Sequence, residues 1–452
     1  MAALTSFLSL LLLAAALSLS TPAASTSRRL TQLDPTTTTA AAGGFQVALT
    51  HVDSGKNLTK FQRLQRGINR GNYRLQKLTA MVLAQSTPEA ADDVAAPVVS
   101  GNGEFLMELA VGTPPVSYSA IVDTGSDLIW TQCDPCTNCY KQPTPIFDPS
   151  KSSTFAKLPC SSTLCSALPQ SSCGSDGCDY LYTYGDYSST QGVMATETFT
   201  FGGNKVKVPK VGFGCGEDNE GDGFTQGGGL VGLGRGPLSL VSQLKQPKFS
   251  YCLTSIDDAA GATSTLSMGS LAGPTGNSSA TTGLIQNSAQ SSFYYISLEG
   301  ISVGGTGLSI PASTFALQSD GSGGMIIDSG TTITYLERSA FDEVKKAFKA
   351  AIDLPVDNSG STGLDLCFDL PSGGGSGDIK VPTLVFHFKG ADLELPAENY
   401  MIADSSVGLV CLAMGSSSGM SIFGNIQQQN FMVLYDLAKE SLSFTPTQCA
   451  KS

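Results

Sequence analysis

Read along its apolar and polar positions, the first hundred residues of the chain divide into four stretches. An apolar run, FLSLLLLAAALSL, fills residues 7–19, and the first charged side chain is Arg28. The run is too short to span a bilayer comfortably, and small residues (Ala23, Ala24, Ser25) follow it. That is the form of a secretory signal peptide, expected over 1–24. A Thr/Ala stretch without period follows at 35–44. Residues 56–82 then read as a basic helix carrying Lys56, Lys60, Arg63, Arg66, Arg70, Arg74 and Lys77. Residues 84–100 are small, acidic and contain proline, which suits a protease-sensitive linker.

From Gly103 onward the period shortens. EFLMELAVG, YSAIVDTG, GLVCLAMG and FMVLYDL are β-branched or aromatic runs cut by Gly, Pro, Asn and Asp, and they predict strands. The clearest helix is Ser339 to Ile352. It opens on the capping-box pattern Ser339-x-x-Asp342 and sets Phe341, Val344 and Phe348 on one face. The body is therefore all-β with few short helices. A stretch rich in Ser, Gly, Ala and Thr, 255–288, divides it into two comparable parts.

Charge and cysteine content narrow the chemistry. The 452 residues carry a formal charge of −12, which argues against a nucleic-acid partner. Residues 25–98 hold 9 basic and 5 acidic side chains, net +4, and residues 99–452 hold 17 and 33, net −16. A basic helical prefix on an acidic body suggests a propeptide held by complementary charge. There are two histidines, His51 and His387, too few for a histidine metal cluster and a poor basis for Ser-His or Cys-His catalysis. Twelve cysteines fit six disulfides made in an oxidising compartment, and seven of them crowd into Cys133–Cys178. Cys133, Cys136 and Cys139 have the spacing of a metal knuckle, but without a nearby His they read as disulfide partners, so no metal or cofactor is expected. Asn277-Ser-Ser is a glycosylation acceptor, and Asn57-Leu-Thr is a second one inside the prefix.

The two parts of the body repeat one pattern. Ala120-Ile-Val-Asp123-Thr-Gly-Ser126 recurs as Met325-Ile-Ile-Asp328-Ser-Gly-Thr331. Two apolar residues and a glycine follow about a hundred residues later in each copy, as Leu230-Val-Gly232 and Ile422-Phe-Gly424. One carboxylate per copy implies a pseudo-twofold site. Two carboxyls within hydrogen-bond reach share a proton and titrate as a pair. The ionised one can take a proton from water while the protonated one polarises a carbonyl, which is hydrolysis without His, metal or covalent intermediate.

These motifs resemble those of the pepsin-like aspartic proteases, and within them the plant nepenthesin type. The likeness runs through GEFLMELAVGTPP, DTGSDLIWTQCDPC, PIFDPSKSSTF, YGDYSSTQG, FGCGE, GLVGLGRGPLSLVSQL, FSYC, GTTITYLE, DLELPAENY and SIFGNIQQQN, from residue 103 to the end. It implies a bilobal acid-protease fold with pseudo-twofold related lobes. The expected division is a propeptide over 25–98, an N-terminal lobe over 99–255 with a Cys-rich insertion at 133–178, an inter-lobe linker at 256–290 and a C-terminal lobe over 291–452. By the same resemblance Asp123 and Asp328 form the catalytic dyad. Thr124 and Ser329 cross-brace its loops, Gly125 and Gly330 form the tight turns, and Ser126 and Thr331 bond the outer carboxylate oxygens. Tyr184-Gly185 sits on a flap over the substrate, with Trp130 as the flap tyrosine's partner, while Tyr187 stands where many relatives carry Gly. The disulfides implied are Cys133–Cys136, Cys139–Cys215, Cys160–Cys178, Cys165–Cys173, Cys252–Cys449 and Cys367–Cys411.

The expected protein is a monomeric aspartic endopeptidase made as a zymogen, secreted or vacuolar, without a membrane anchor. It would act in acid on extended protein or peptide chains. The rival is a catalytically silent inhibitor or binding module on the same fold. Other strings lack context: Asp53-Ser-Gly55 has no partner motif, Gly227-x-Gly-x-x-Gly232 has no βαβ unit, Gly415-x-Ser417-x-Gly419 has no later His, and Glu217–Asp222 lacks the closing Glu of a calcium loop. His387, alternating with apolar residues, reads as structural.

Overall fold

The computed structural model describes residues 44–451 except 87–103, 176, 185–187, 204, 245–246, 259–261, 274–278 and 372–378. The signal peptide, most of the linker, Asn277, Gly185 and Tyr187 lie outside the described residues.

The repeat in the sequence is a repeat in the sheet. In the first half Val116–Asp123 runs antiparallel to Phe105–Val111 and parallel to Gly229–Gly232, placing Asp123 beside Gly232. Gly229–Gly232 pairs on its other side with Ile129–Gln132. In the second half Met325–Ile327 runs parallel to Ser421–Phe423, which also bridges Thr334–Glu337 at Tyr335 and Ile422. The glycine ending each apolar triplet lies against the partner loop. A Cβ on Gly232 would come 2.3 Å from the Asp127 carbonyl, and one on Gly424 would come 2.3 Å from that of Ile333. Any larger residue would drive the crossing loops apart.

Between the halves lies a shared run of strands. Lys248–Cys252 pairs with Ser264–Met268 and with Phe431–Asp436, and Phe431–Asp436 pairs in turn with Ser441–Pro446. Ala280–Ile285 closes on Ser441–Pro446. The Ser/Gly/Ala/Thr-rich stretch between the halves thus carries two of these strands, because Leu266, Met268 and Leu284 alternate into the core. The prefix contributes too. Its strand Phe45–His51 pairs with both Phe105–Val111 and Ser264–Met268, burying Phe45, Val47 and Leu49 on one side of a period-two pattern.

The second half adds two four-stranded sheets and the helix Arg338–Ala351, which buries Ala340, Phe341, Val344 and Phe348. The start of that helix differs from the sequence expectation: Glu337 is its N-cap and accepts the Ser339 N–H. The reason is chain entry from the strand Thr334–Glu337, which leaves Glu337 in a non-helical conformation suited to a cap.

The prefix helix is Lys60–Ser86. It begins there because Thr59 and Gln62 form a reciprocal capping box, with the Gln62 N–H donating to Thr59 Oγ1 (3.2 Å) and the Thr59 N–H to Gln62 Oε1 (2.9 Å). Phe61, Leu64 and Ile68 pack on Ile333, Tyr335, Leu409 and Ile426, and Leu78 packs on Phe293, Tyr295, Ile326 and Ile422. Gly67 lets the helix touch Thr332, where a Cβ would come 2.6 Å from Cγ2.

All twelve cysteines are paired, and two of the six expected bonds, Cys252–Cys449 and Cys367–Cys411, are present. The other four expected pairings are corrected to Cys133–Cys215, Cys136–Cys139, Cys160–Cys173 and Cys165–Cys178. Cys133 follows a strand whose Thr131 lies beside Cys215 in a parallel ladder, leaving the two 5.4 Å apart at Cα. Cys136 and Cys139 then close their own short turn. Cys173 and Cys178 face each other in a hairpin but bond elsewhere, sorted by depth: Cys178 and Cys165 are buried, whereas Cys173 is exposed and Cys160 half-buried. We predict that peptide mapping without reduction recovers Cys133–Cys215 and Cys165–Cys178. Recovery of Cys139–Cys215 and Cys160–Cys178 would contradict this arrangement.

Candidate active site

Each carboxylate sits where an apolar strand ends in a turn that its own neighbours hold. Asp123 Oδ1 accepts the Gly125 N–H (3.0 Å) and Oδ2 accepts the Ser126 hydroxyl (2.5 Å). Asp328 repeats this, with the Gly330 N–H on Oδ1 (3.1 Å) and the Thr331 hydroxyl on Oδ2 (2.5 Å). Both carboxylates are buried, at 3% and 0% exposure. The hydroxyl and glycine of each motif thus consume one lone pair on each oxygen and fix the plane of the carboxylate.

The two turns are tied to each other. Thr124 Oγ1 accepts the Ser329 N–H (3.1 Å) and lies 3.2 Å from both Asp328 Oδ1 and Ser329 Oγ. Asn425 donates to the Ser329 carbonyl (3.0 Å) and Gln428 to that of Phe423 (2.8 Å). The two aspartates and the neighbours expected to brace them therefore come together.

The hairpin expected to serve as a flap pairs Gly177–Thr183 with Ser189–Phe201, and the Tyr184 N–H donates to the Ser188 carbonyl (2.8 Å). Trp130 Nε1 donates to the Tyr184 hydroxyl (2.9 Å), and Phe224 packs edge-on against both rings. Burial, followed by the neighbouring Tyr182 and the Asp123 charge, pushes the Tyr184 phenol well above its ordinary range, so it stays a neutral hydrogen-bonding group.

Sequence reasoning missed what lies between the carboxylates. Arg74 of the prefix helix donates through Nη2 to Oδ1 of both Asp123 and Asp328 (2.8 Å to the latter), and through Nε to Asp328 Oδ2. Its guanidinium lies between Gly125 and Gly330, where a Cβ on either glycine would strike it. Burial works against its charge, but the two carboxylates outweigh that and push its pKa up. One turn earlier Arg70 donates to Glu104 (2.5 Å) and to Asp53 (2.9 Å), and a further turn back Arg66 donates to Asp53 (2.9 Å). Asp53, a string without a partner motif in the sequence, is fully buried and is the anchor of this stripe. The signal was legible as Arg66, Arg70 and Arg74 at four-residue spacing on one helix face.

His387 is held elsewhere, 2.7 Å from Ser302 and 2.7 Å from Asp392, on a sheet face where the Asp392 side chain is 71% exposed. It braces three neighbouring strands, as an alternating structural position would.

The chain matches the families described as xylanase inhibitor N-terminal (residues 105–270) and xylanase inhibitor C-terminal (residues 293–446). It is 56% identical to aspartic proteinase nepenthesin-1 of Nepenthes gracilis, over 90% of this chain and 91% of that protein. It is 36% identical to aspartyl protease 37 of Oryza sativa subsp. japonica, over 90% of this chain and 94% of that one. Among solved structures it resembles edgp, with a TM-score of 0.62 and 22% identity over 77% of this chain and 92% of that one. It also resembles basic 7S globulin from soybean, with a TM-score of 0.58 and 21% identity over 78% and 96%. These two share the fold.

Replacing Thr124 with Ala strands the buried Ser329 N–H, a cost of about 1–3 kcal/mol. We expect a lower melting temperature and roughly tenfold weaker proteolysis for T124A, with T124S recovering most of both. Wild-type activity in T124A would show that the brace does not matter.

Proposed function

The chain belongs to the pepsin-like aspartic proteases and is an aspartic endopeptidase of the nepenthesin type; from that premise we propose that it is made as a secreted zymogen, that Asp123 and Asp328 are its catalytic pair, and that residues 25–98 are the propeptide that silences them until the pH falls. The observation that carries this reading is Arg74 bound by both carboxylates. The guanidinium fills the place, and takes up the carboxylate oxygens, that catalysis needs for a shared proton and a water. In the working state the ionised carboxylate takes a proton from that water as its oxygen attacks the scissile carbonyl carbon. The protonated carboxyl gives its proton to the carbonyl oxygen. Substrate lies extended under the Tyr184 flap, and bulky apolar side chains flanking the scissile bond are preferred.

Acid weakens the ionic part of the clamp. Burial pushes the Glu104 carboxyl up, but Arg70 and His51 outweigh it and hold it down at about 2, against an ordinary 4.5. A lowered folded value means that the contact stabilises fully above pH 4.5 and fades as pH falls from there towards 2. Asp53 is also lowered, its burial being outweighed by Arg70 and Lys56, so the anchor that holds the arginines within the prefix itself fades in the same direction. The apolar seam of Phe61, Leu64, Ile68 and Leu78 does not titrate, and each such side chain contributes about 1.5–3 kcal/mol. Loosening in acid is therefore followed by cleavage in the 84–100 linker rather than by simple release of an intact prefix. Six disulfides and the apolar amino-terminal run support secretion, to the cell exterior or a vacuole, as a monomer. The complete hydroxyl network around both carboxylates favours a working protease over a silent binding module on the same fold.

The full-length protein should leave denatured casein intact at pH 7 and digest it after incubation near pH 3, with a loss of roughly the prefix mass. D123A should abolish digestion. R74A should digest without the acid lag. An R74A protein as latent as wild type would overturn the role given to Arg74, and acid digestion by D123A would overturn the dyad.

A further inference from the structure

Four residues after Asp123 stands another acid, Asp127, which the dyad chemistry does not use. It is 7% exposed. Oδ1 accepts the Gly236 N–H (2.9 Å), and Oδ2 shares a hydrogen bond with the Ser292 hydroxyl. Glycines wrap the side chain: a Cβ on Gly234 would come 2.3 Å from Oδ1, and one on Gly236 would come 2.1 Å from Oδ2. With Gly232 against its backbone, Asp127 accounts for the glycine spacing of Gly232-Leu-Gly234-Arg-Gly236.

The groups it binds form a bridge between the two carboxylate strands. The Leu233 N–H donates to the Asp123 carbonyl (2.8 Å), and the Tyr294 hydroxyl donates to the Leu233 carbonyl (2.6 Å). The Ile327 N–H, one residue before Asp328, donates to the Tyr294 carbonyl (3.0 Å). Ser292, two residues before Tyr294, is held by the Arg235 N–H on its carbonyl (3.1 Å) and by Asp127 on its hydroxyl.

No cation contacts this carboxyl among the described residues. The Arg235 side chain turns away to the Ile285 carbonyl and Glu440. The titratable groups facing Asp127 are Asp123, a like charge, and the phenols of Tyr182 and Tyr294. A buried carboxyl without a counterion gives up its charge. Burial pushes this one up against the pull of Ser292 and Gly236, and Asp123 adds to the rise.

We propose that Asp127 acts as a neutral carboxylic acid that pins the Asp123 loop to the segment leading into Asp328, and that its ionisation sets the upper pH limit of the folded enzyme. As a neutral acid its O–H donates to Ser292 Oγ while its carbonyl oxygen accepts from Gly236. Asp127 is a positioning residue, and its effect on turnover rests on the protease reading above. A raised folded value means that its stabilising contribution is complete in acid and is lost as pH rises.

The test compares wild type, D127N and D127A. Asparagine copies the neutral acid, accepting from Gly236 and donating to Ser292, and cannot ionise. Thermal unfolding of the full chain from pH 4 to 8 should show D127N matching wild type at pH 4 and melting several degrees higher at pH 7, about what one recovered buried group supplies. In the acid-processed protein at pH 4, D127A should lose kcat by about tenfold with KM within about twofold, and D127N should restore kcat to within about threefold. If D127N unfolds along the wild-type curve, or falls below it at pH 7, the proposal fails. If D127N loses turnover as D127A does, it also fails. Should D127A not fold, the D127N comparison stands alone. The unfolding arm needs no catalysis, so a wild-type protein that digests nothing would sink the protease reading and leave this one to be judged by its melting curves.

Discussion

Two carboxylates held against one guanidinium nitrogen are the constraint on which the rest of this structure depends. Buried charges of like sign do not sit together without compensation. The body supplies part of it through fixed donors, a backbone N–H and a hydroxyl for each carboxylate. The prefix supplies the remainder as Arg74. The charge of the site is thus satisfied by a residue from outside the body, one that must leave before any reaction on the zymogen reading proposed above.

That constraint explains features distributed widely along the chain. The apolar triplets end in glycine because the crossing loops have no room for a Cβ. The prefix helix carries Gly67 and Gly71 because it must lie against Thr332 and Tyr335 for Arg74 to reach the carboxylates. Its arginines fall at four-residue intervals because Asp53, Glu104 and the pair meet one face in succession. Apolar contacts give the helix most of its hold, and the arginines fix its register, in keeping with the small net worth of buried ion pairs.

Much of this was legible in the sequence. The duplicated Asp-hydroxyl-Gly motifs, at the ends of β-patterned runs, are local signals and identified both carboxylates and their bracing hydroxyls. The buried face of Arg338–Ala351 followed from period alone. What stayed hidden depended on contacts between distant segments. Disulfide partners around Cys133 and Cys165 were decided by strand register and depth, which cysteine spacing does not encode. Glu337 displaced Ser339 as a cap because of the strand before it. Asp53 looked like a stray motif because, beyond the neighbouring Lys56, its partners are Arg66 and Arg70 on the helix, one of which also reaches Glu104, 34 residues further on. The weight of Arg74 among seven basic residues was invisible until the helix was seen to cross the site.

The central claim is that the prefix occupies the place of substrate between Asp123 and Asp328. Calorimetric titration with pepstatin, a peptide-like inhibitor that needs that place, tests it most directly. At one pH, near 5, the account predicts tight binding to acid-processed protein and none to the full-length chain. Equal affinity for both forms would mean that Arg74 does not close the site.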